Sequence, residues 1–157
     1  MRVESETEAA SRRAGLRICL VVSRFNEPVT GSMETAALDC LAQEGVDPAH
    51  VDVVHVPGAW ELPLGVRLTL AKGNYDGVVA LGCVIRGETP HFEYVSMGAT
   101  VGLQAVTRES GVPVGFGLLK TDDGAQAFAR AGGDNGNKGE EATLAVLEMC
   151  DLAARLR

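Results

Sequence analysis

No stretch of this 157-residue chain holds the run of about 20 apolar residues that a membrane-crossing helix needs. The opening residues, MRVESETEAASRRAG, have no apolar segment either, so no secretory signal is expected. Positive charge is scarce: 14 Lys and Arg stand against 21 Asp and Glu, a formal net charge of -7. That balance argues against non-specific binding to nucleic acid or to an anionic membrane, while leaving room for a local basic pocket. The four cysteines, Cys19, Cys40, Cys83 and Cys150, form no CxxC pair. Cys19 and Cys83 fall in predicted buried strands, so small buried thiols are expected, with no disulfide framework and no metal site. A reducing cytoplasm is the expected compartment. GxGxxG and GxxxxGK[ST] are both absent, and with them the sequence support for a dinucleotide or Walker-type site. There is no internal repeat and no sign of a second domain. Residues 1–14 are polar, mixed in charge and without periodicity, and read as a flexible tail. Residues 15–157 read as a single domain.

What is present is a regular alternation. Apolar runs at residues 16–22 (LRICLVV), 51–56 (VDVVHV), 77–85 and 112–119 read as strands. Between them, residues 28–44, 62–71 and 90–109 read as helices, the first closed by Gly45 as a C-cap. A short helix over 123–131, a loop over 132–137 and a long helix from Lys138 complete the chain. In the helix from Pro90, the residues Phe92, Val95, Ala99, Leu103 and Val106 share one face. In the last helix Ala142, Ala145, Met149, Leu152 and Leu156 suggest an apolar seam. This order implies an α/β fold: a flavodoxin-like three-layer α/β/α architecture with a four-stranded parallel sheet. Ligands of such sheets sit beyond the carboxyl ends of the strands. The clusters 23–25, 58–61, 86–91 and 116–120 are all expected at that edge.

The stretch LGCVIRGETPHFEYV, residues 81–95, carries the most chemistry. It reads as a buried strand, a tight polar turn and a helix start. Thr89 is expected to cap that helix and Pro90 to occupy its first position. Free amides at a helix start form an anion site, and Gly87 allows close backbone approach to a ligand. His91 follows in the first turn. Histidine is the side chain best suited to proton transfer near neutral pH, although a surface histidine with no role fits the position too. Arg130 and Lys138 flank the glycine-rich loop RAGGDNGNKG. They suit a phosphate, while an ordinary solvated helix end explains Arg130 as well. Phe25 and Trp60 stand just after strands, where an aromatic stacks on a flat heterocycle or simply packs on the core. Glu61 is placed to accept hydrogen bonds from ligand hydroxyls or to sit at the next helix's start. Phe116 lies inside an apolar strand, where core packing is the plain explanation.

The blocks VVSRFNEPVT, VPGAWELP, YDGVVALGCVIRGETPHFEYV, PVGFGLLKT, RAG and GNKGEEAT, in that order, resemble the lumazine synthase family across nearly the whole chain. The resemblance implies a condensation of 5-amino-6-(D-ribitylamino)uracil with 3,4-dihydroxy-2-butanone 4-phosphate. The implied products are 6,7-dimethyl-8-ribityllumazine, phosphate and water, formed without a metal or organic cofactor. It implies that Phe25 stacks on the pyrimidine. Ala59, Trp60 and Glu61 would hold that substrate, with Glu61 on the ribityl hydroxyls, and Cys83, Val84 and Ile85 would run along its edge. Gly87, Glu88, Thr89 and Arg130 would bind phosphate. Phe116 would come from the neighbouring subunit, Lys138 would lie near the bound substrates, and His91 would transfer protons. The implied assembly is a pentamer with sites between subunits, extended to a shell of twelve pentamers. Riboflavin synthase is a further implied partner. Two features depart from the family pattern: Lys120 stands where a small hydroxyl residue is usual, and Gly133, Asp134 and Asn135 spell a more polar loop. A non-catalytic flavin- or lumazine-binding module on the same fold is the alternative. A flavodoxin-type electron carrier fits less well, because the anion turn follows the third strand rather than the first.

Overall fold

The computed structural model of the chain describes residues 4–157. In chain order the elements begin with α1 (Glu6–Gly15), β1 (Ile18–Ser23), α2 (Glu27–Gln43) and β2 (Val51–Val56). They continue with α3 (Leu62–Lys72), β3 (Gly77–Ile85), α4 (His91–Ser110) and β4 (Val114–Thr121). The chain ends with α5 (Gly124–Ala129), a small hairpin of β5 (Ala131–Gly133) and β6 (Gly136–Asn137), and α6 (Lys138–Leu156). β1 to β4 form one parallel sheet in the order β2-β1-β3-β4. Helices cover both faces, the expected flavodoxin-like α/β/α arrangement.

The layers follow from the two-residue period of the strands. Ile18, Leu20 and Val22 of β1, with Val79 and Leu81 of β3, pack on one side against Met33 and Leu41 of α2 and Leu147 of α6. Cys19, Val21, Val78 and Ala80 point the other way, onto Val66 of α3 and Ala99 and Leu103 of α4. Leu20, Leu81 and Leu147 are fully buried, and each contributes about 1.5–3 kcal/mol through that burial. α6 approaches α2 at Gly139, where a Cβ would stand 2.3 Å from the Met33 carbonyl oxygen. Only glycine permits that crossing.

Several expectations change. The polar N-terminal stretch, read from the sequence as a flexible tail without periodicity, forms helix α1 over Glu6–Gly15; residues 1–3 lie outside the described residues. Ser5 and Glu8 form a reciprocal capping box: the Ser5 amide donates to Glu8 Oε2 at 2.9 Å and the Glu8 amide to Ser5 Oγ at 3.2 Å. α1 buries no residue. Charge holds it instead: Arg12 and Arg13 each donate to the Asp151 carboxylate of α6 at 2.7 Å, and Arg13 also reaches Glu44 at 2.5 Å. Burial raises the Asp151 carboxyl pKa, but the hydrogen bonds from Arg13 and Arg12 outweigh it and hold the group below its usual value.

The seam expected on α6 is out of phase. Its buried face is Gly139, Ala142, Thr143, Val146, Leu147 and Cys150, whereas Met149 and Leu156 are exposed. Small and β-branched residues meet the sheet there beside Leu147, while Met149 and Leu156 point outward. Phe116 also moves. It pairs with Ala80 near the start of β4, so only Lys120, beside Val84, reaches the carboxyl edge of the sheet. The loop expected over 132–137 is a tight hairpin, allowed by positive φ at Gly132 (107°) and Gly136 (78°).

Candidate active site

The strand order reverses between β1 and β3, and the chain segments leaving β1, β2 and β3 gather over that point. After β1 the backbone follows β2: the Arg24 amide donates to the Val56 carbonyl at 2.8 Å and the Phe25 amide to Pro57 at 3.1 Å. This fixes the loop and leaves the Phe25 ring 69% exposed over the sheet edge. Asn26 then adopts a left-handed conformation with φ 62°. Its side-chain amide donates to the Cys83 carbonyl at 2.9 Å.

After β2, Gly58 leads into a single 3-10 turn, Ala59–Glu61. Ala59 is buried against the sheet, Trp60 stands out from it, and Glu61 is half-buried. Among the described residues the Glu61 carboxylate has no hydrogen-bond or ion-pair partner, so its acceptor capacity is open to a ligand.

β3 contributes Cys83, buried, and Val84 and Ile85, half-buried. Burial pushes the Cys83 thiol up to about 11, which keeps it neutral and unreactive near pH 7. Arg86 begins the turn that follows, and its amide donates to the Thr121 carbonyl at 2.9 Å. Its guanidinium donates through Nε to Asp122 at 2.8 Å and through Nη2 to Glu93 at 3.4 Å, and lies 4.6 Å over the Phe92 ring. Lys120 Nζ donates to Glu93 at 2.7 Å and lies 5.0 Å from the centre of the same ring. The hydrogen bond to Asp122 is the main cause of a raised Arg86 pKa, and it lowers that of Asp122. Glu93 is lowered chiefly by Lys120. These four exposed charges neutralise one another.

The helix start differs from the expectation. α4 begins at His91, Pro90 is its N-cap with αR backbone angles, and no side chain caps it. The Thr89 hydroxyl is therefore not committed to the helix, and Thr89 lines the cleft with Gly87 and His91.

Together these segments enclose a cleft of about 690 Å³, within the usual range for a small-molecule site. Phe25 lines one side and Ala59, Trp60 and Glu61 another. Cys83, Val84 and Ile85 line its base, and Gly87, Thr89 and His91 its rim. Gly58, Phe92, Tyr94 and Val95 line it too, unassigned from the sequence. Helical spacing offered a signal for two of them, since Tyr94 and Val95 are three and four residues beyond His91. Asn26 gave no such signal.

Other candidates lie off this cleft. Glu88 is exposed within the rim turn but does not line the cavity. Phe116 borders a separate hollow of about 260 Å³ with Thr100, Leu103 and Thr107 of α4. Arg130 sits at the end of α5 with Nη1 donating to the Gln126 carbonyl at 3.0 Å. Lys138 opens α6, and its Nζ lies 3.4 Å from Glu141. Lys120 does not line the cleft. Among the described residues no helix is long and apolar enough to cross a membrane.

Residues 15–154 match the family model described as 6,7-dimethyl-8-ribityllumazine synthase. A protein of that name from Salinibacter ruber is 51% identical over 142 residues, covering 90% of this chain and 91% of its own. One from Gemmatimonas aurantiaca is 49% identical over 151 residues, covering 96% and 92%. Another, from Nitratidesulfovibrio vulgaris (strain DP4), is 48% identical over 134 residues, covering 85% and 86%. With the family model matched over residues 15–154 and identity near one half held along almost the full length of both partners, the chain belongs to the 6,7-dimethyl-8-ribityllumazine synthase family.

Proposed function

We propose that this chain is a transferase of riboflavin biosynthesis. It condenses 5-amino-6-(D-ribitylamino)uracil with 3,4-dihydroxy-2-butanone 4-phosphate, releasing 6,7-dimethyl-8-ribityllumazine, phosphate and water. One observation carries the reading. A stacking aromatic, an unpaired carboxylate, and an open helix start that carries a histidine, from three separate chain segments, meet in one cleft of metabolite size. In this assignment the pyrimidine stacks on Phe25 with its edge along Cys83, Val84 and Ile85. Ala59 and Trp60 flank it, and Glu61 accepts hydrogen bonds from the ribityl hydroxyls. The turn of Gly87, Glu88 and Thr89, at the positive end of α4, holds the phosphate with Arg130.

The chemistry then needs little beyond placement and protons. The substrate amine is already a nucleophile, and holding the two substrates together removes the entropic cost of their encounter. His91 on the rim moves protons during carbonyl addition, loss of water, phosphate elimination and ring closure.

Phe116, Arg130 and Lys138 lie off the cleft of their own chain, which supports a site completed by a neighbouring copy. A face for that copy is available: Tyr94, Met97 and Val101 form an exposed apolar stripe on α4, and Leu64 and Leu68 another on α3. The assembly is a pentamer, with twelve pentamers closing into a shell, in the cytoplasm. Riboflavin synthase is the candidate protein partner. Mixing both substrates with the protein and following lumazine absorbance tests the activity. Tight lumazine binding without its formation would instead make the chain a silent binding module.

A further inference from the structure

Trp60 is the chain's single tryptophan. It is 61% exposed, yet its six-membered ring lies directly on the backbone of α4. A Cβ on Gly98 would stand 2.2 Å from Trp60 Cζ3, 2.9 Å from Cε3 and 3.1 Å from Cη2. These are atoms of a rigid ring, so the ring as a whole would have to move. One turn further along, a Cβ on Gly102 would stand 2.6 Å from Pro63 Cγ. Neither glycine has a positive φ, so space and not backbone conformation explains them. Both are interior to α4, where glycine costs about 1 kcal/mol relative to alanine. The opposite side of the same turn is pinned at Ala59, which is 5% exposed and packs toward Gly82 of β3.

We propose that Gly98 is a positioning residue for the pyrimidine side of the cleft. Its missing side chain lets the Trp60 indole lie flat on α4, and the seated indole holds Ala59 and Glu61 in place against β3. This deepens the proposed function and rests on it. Gly98 touches no substrate; it acts through Trp60. The turn of Gly87 and Thr89 precedes α4 and lies nine or more residues before Gly98, so the phosphate side is expected to keep its geometry.

The test is Gly98→Ala, read by steady-state kinetics and by emission of the single tryptophan. The KM for the ribitylaminouracil should rise by about tenfold, as expected for sub-ångström to ångström displacement of a binding wall, while the KM for the butanone phosphate stays within about twofold. Emission should shift to the red as the ring leaves the helix. In a Trp60→Leu background the added methyl meets no ring, so the Gly98→Ala effect on KM should vanish. Unchanged emission and KM, equal weakening of both substrates, or a penalty that persists beside Trp60→Leu would each overturn the proposal. If Gly98→Ala folds only together with Trp60→Leu, the seat is supported. If neither form folds, the obstruction lies elsewhere and the proposal fails. A wild-type chain that forms no lumazine would defeat the functional reading alone, since the emission shift is measured without substrate.

Discussion

The Asn26 side chain donates to the Cys83 carbonyl at 2.9 Å, joining the loop after β1 to the end of β3. That single bond sets the spacing between the Phe25 ring and the strand edge facing it. Asparagine suits the position twice, because it tolerates the left-handed φ of 62° and also supplies the donor. Asn26→Ala should lower stability by about 1–2 kcal/mol through backbone strain and the lost bond. Asn26→Gly should recover the strain part only. Denaturant midpoints separate the two, and an alanine variant as stable as wild type would remove the tie from the account.

His91→Ala should lower turnover by roughly ten- to a hundredfold, at or below the low end for one general acid/base group because the substrate amine is already a nucleophile, with little change in either KM. Single-turnover lumazine formation checks it. Wild-type turnover in the variant would leave His91 as a rim residue without a chemical role.

Arg130→Ala should raise the KM for the butanone phosphate by at least about tenfold and leave that for the pyrimidine nearly unchanged, as expected for loss of a charge-assisted contact. Equal weakening of both substrates would reject the phosphate assignment. Mixing Arg130→Ala with His91→Ala chains should restore part of the activity if a site draws residues from two copies.

α1 should be released in acid. The Asp151 carboxyl is held below its ordinary value, so its contribution is complete above the unfolded-state pKa. It is lost as pH falls through the lower folded-state value, that is, below about pH 4. Since α1 buries no residue, Asp151→Asn should detach it even at neutral pH, at a cost of about 1 kcal/mol. Amide exchange confined to residues 6–15 would show the release, and unchanged protection there would refute the ion-pair account.

Sedimentation at physiological salt should give no monomer. A mass of about five chains identifies the pentamer alone, and a mass of about sixty the closed shell. Val101→Glu, on the exposed stripe of α4, should shift either form toward free subunits. A monomer with full activity would overturn the shared site.

The sequence determined what depends on neighbours along the chain. Near-continuous apolar runs marked the strands. The spelling of residues 81–95 marked a strand, a turn and a helix start carrying His91. Even the helix at the N-terminus was written locally, in the capping pair Ser5 and Glu8, although its polar composition hid it. Tertiary structure decided the rest. Which face of α6 is buried depends on how closely Gly139 lets it approach α2, and that crossing turned Met149 outward. Where Phe116 lies depends on the pairing of β4 with β3, which put it opposite Ala80 and away from the cleft edge. Asn26 and Cys83 are 57 residues apart and become partners only because β1 and β3 lie side by side. Periodicity and capping are short-range properties of a chain, whereas sheet register and helix crossing are set by packing between distant segments, and the cleft is built from the second kind.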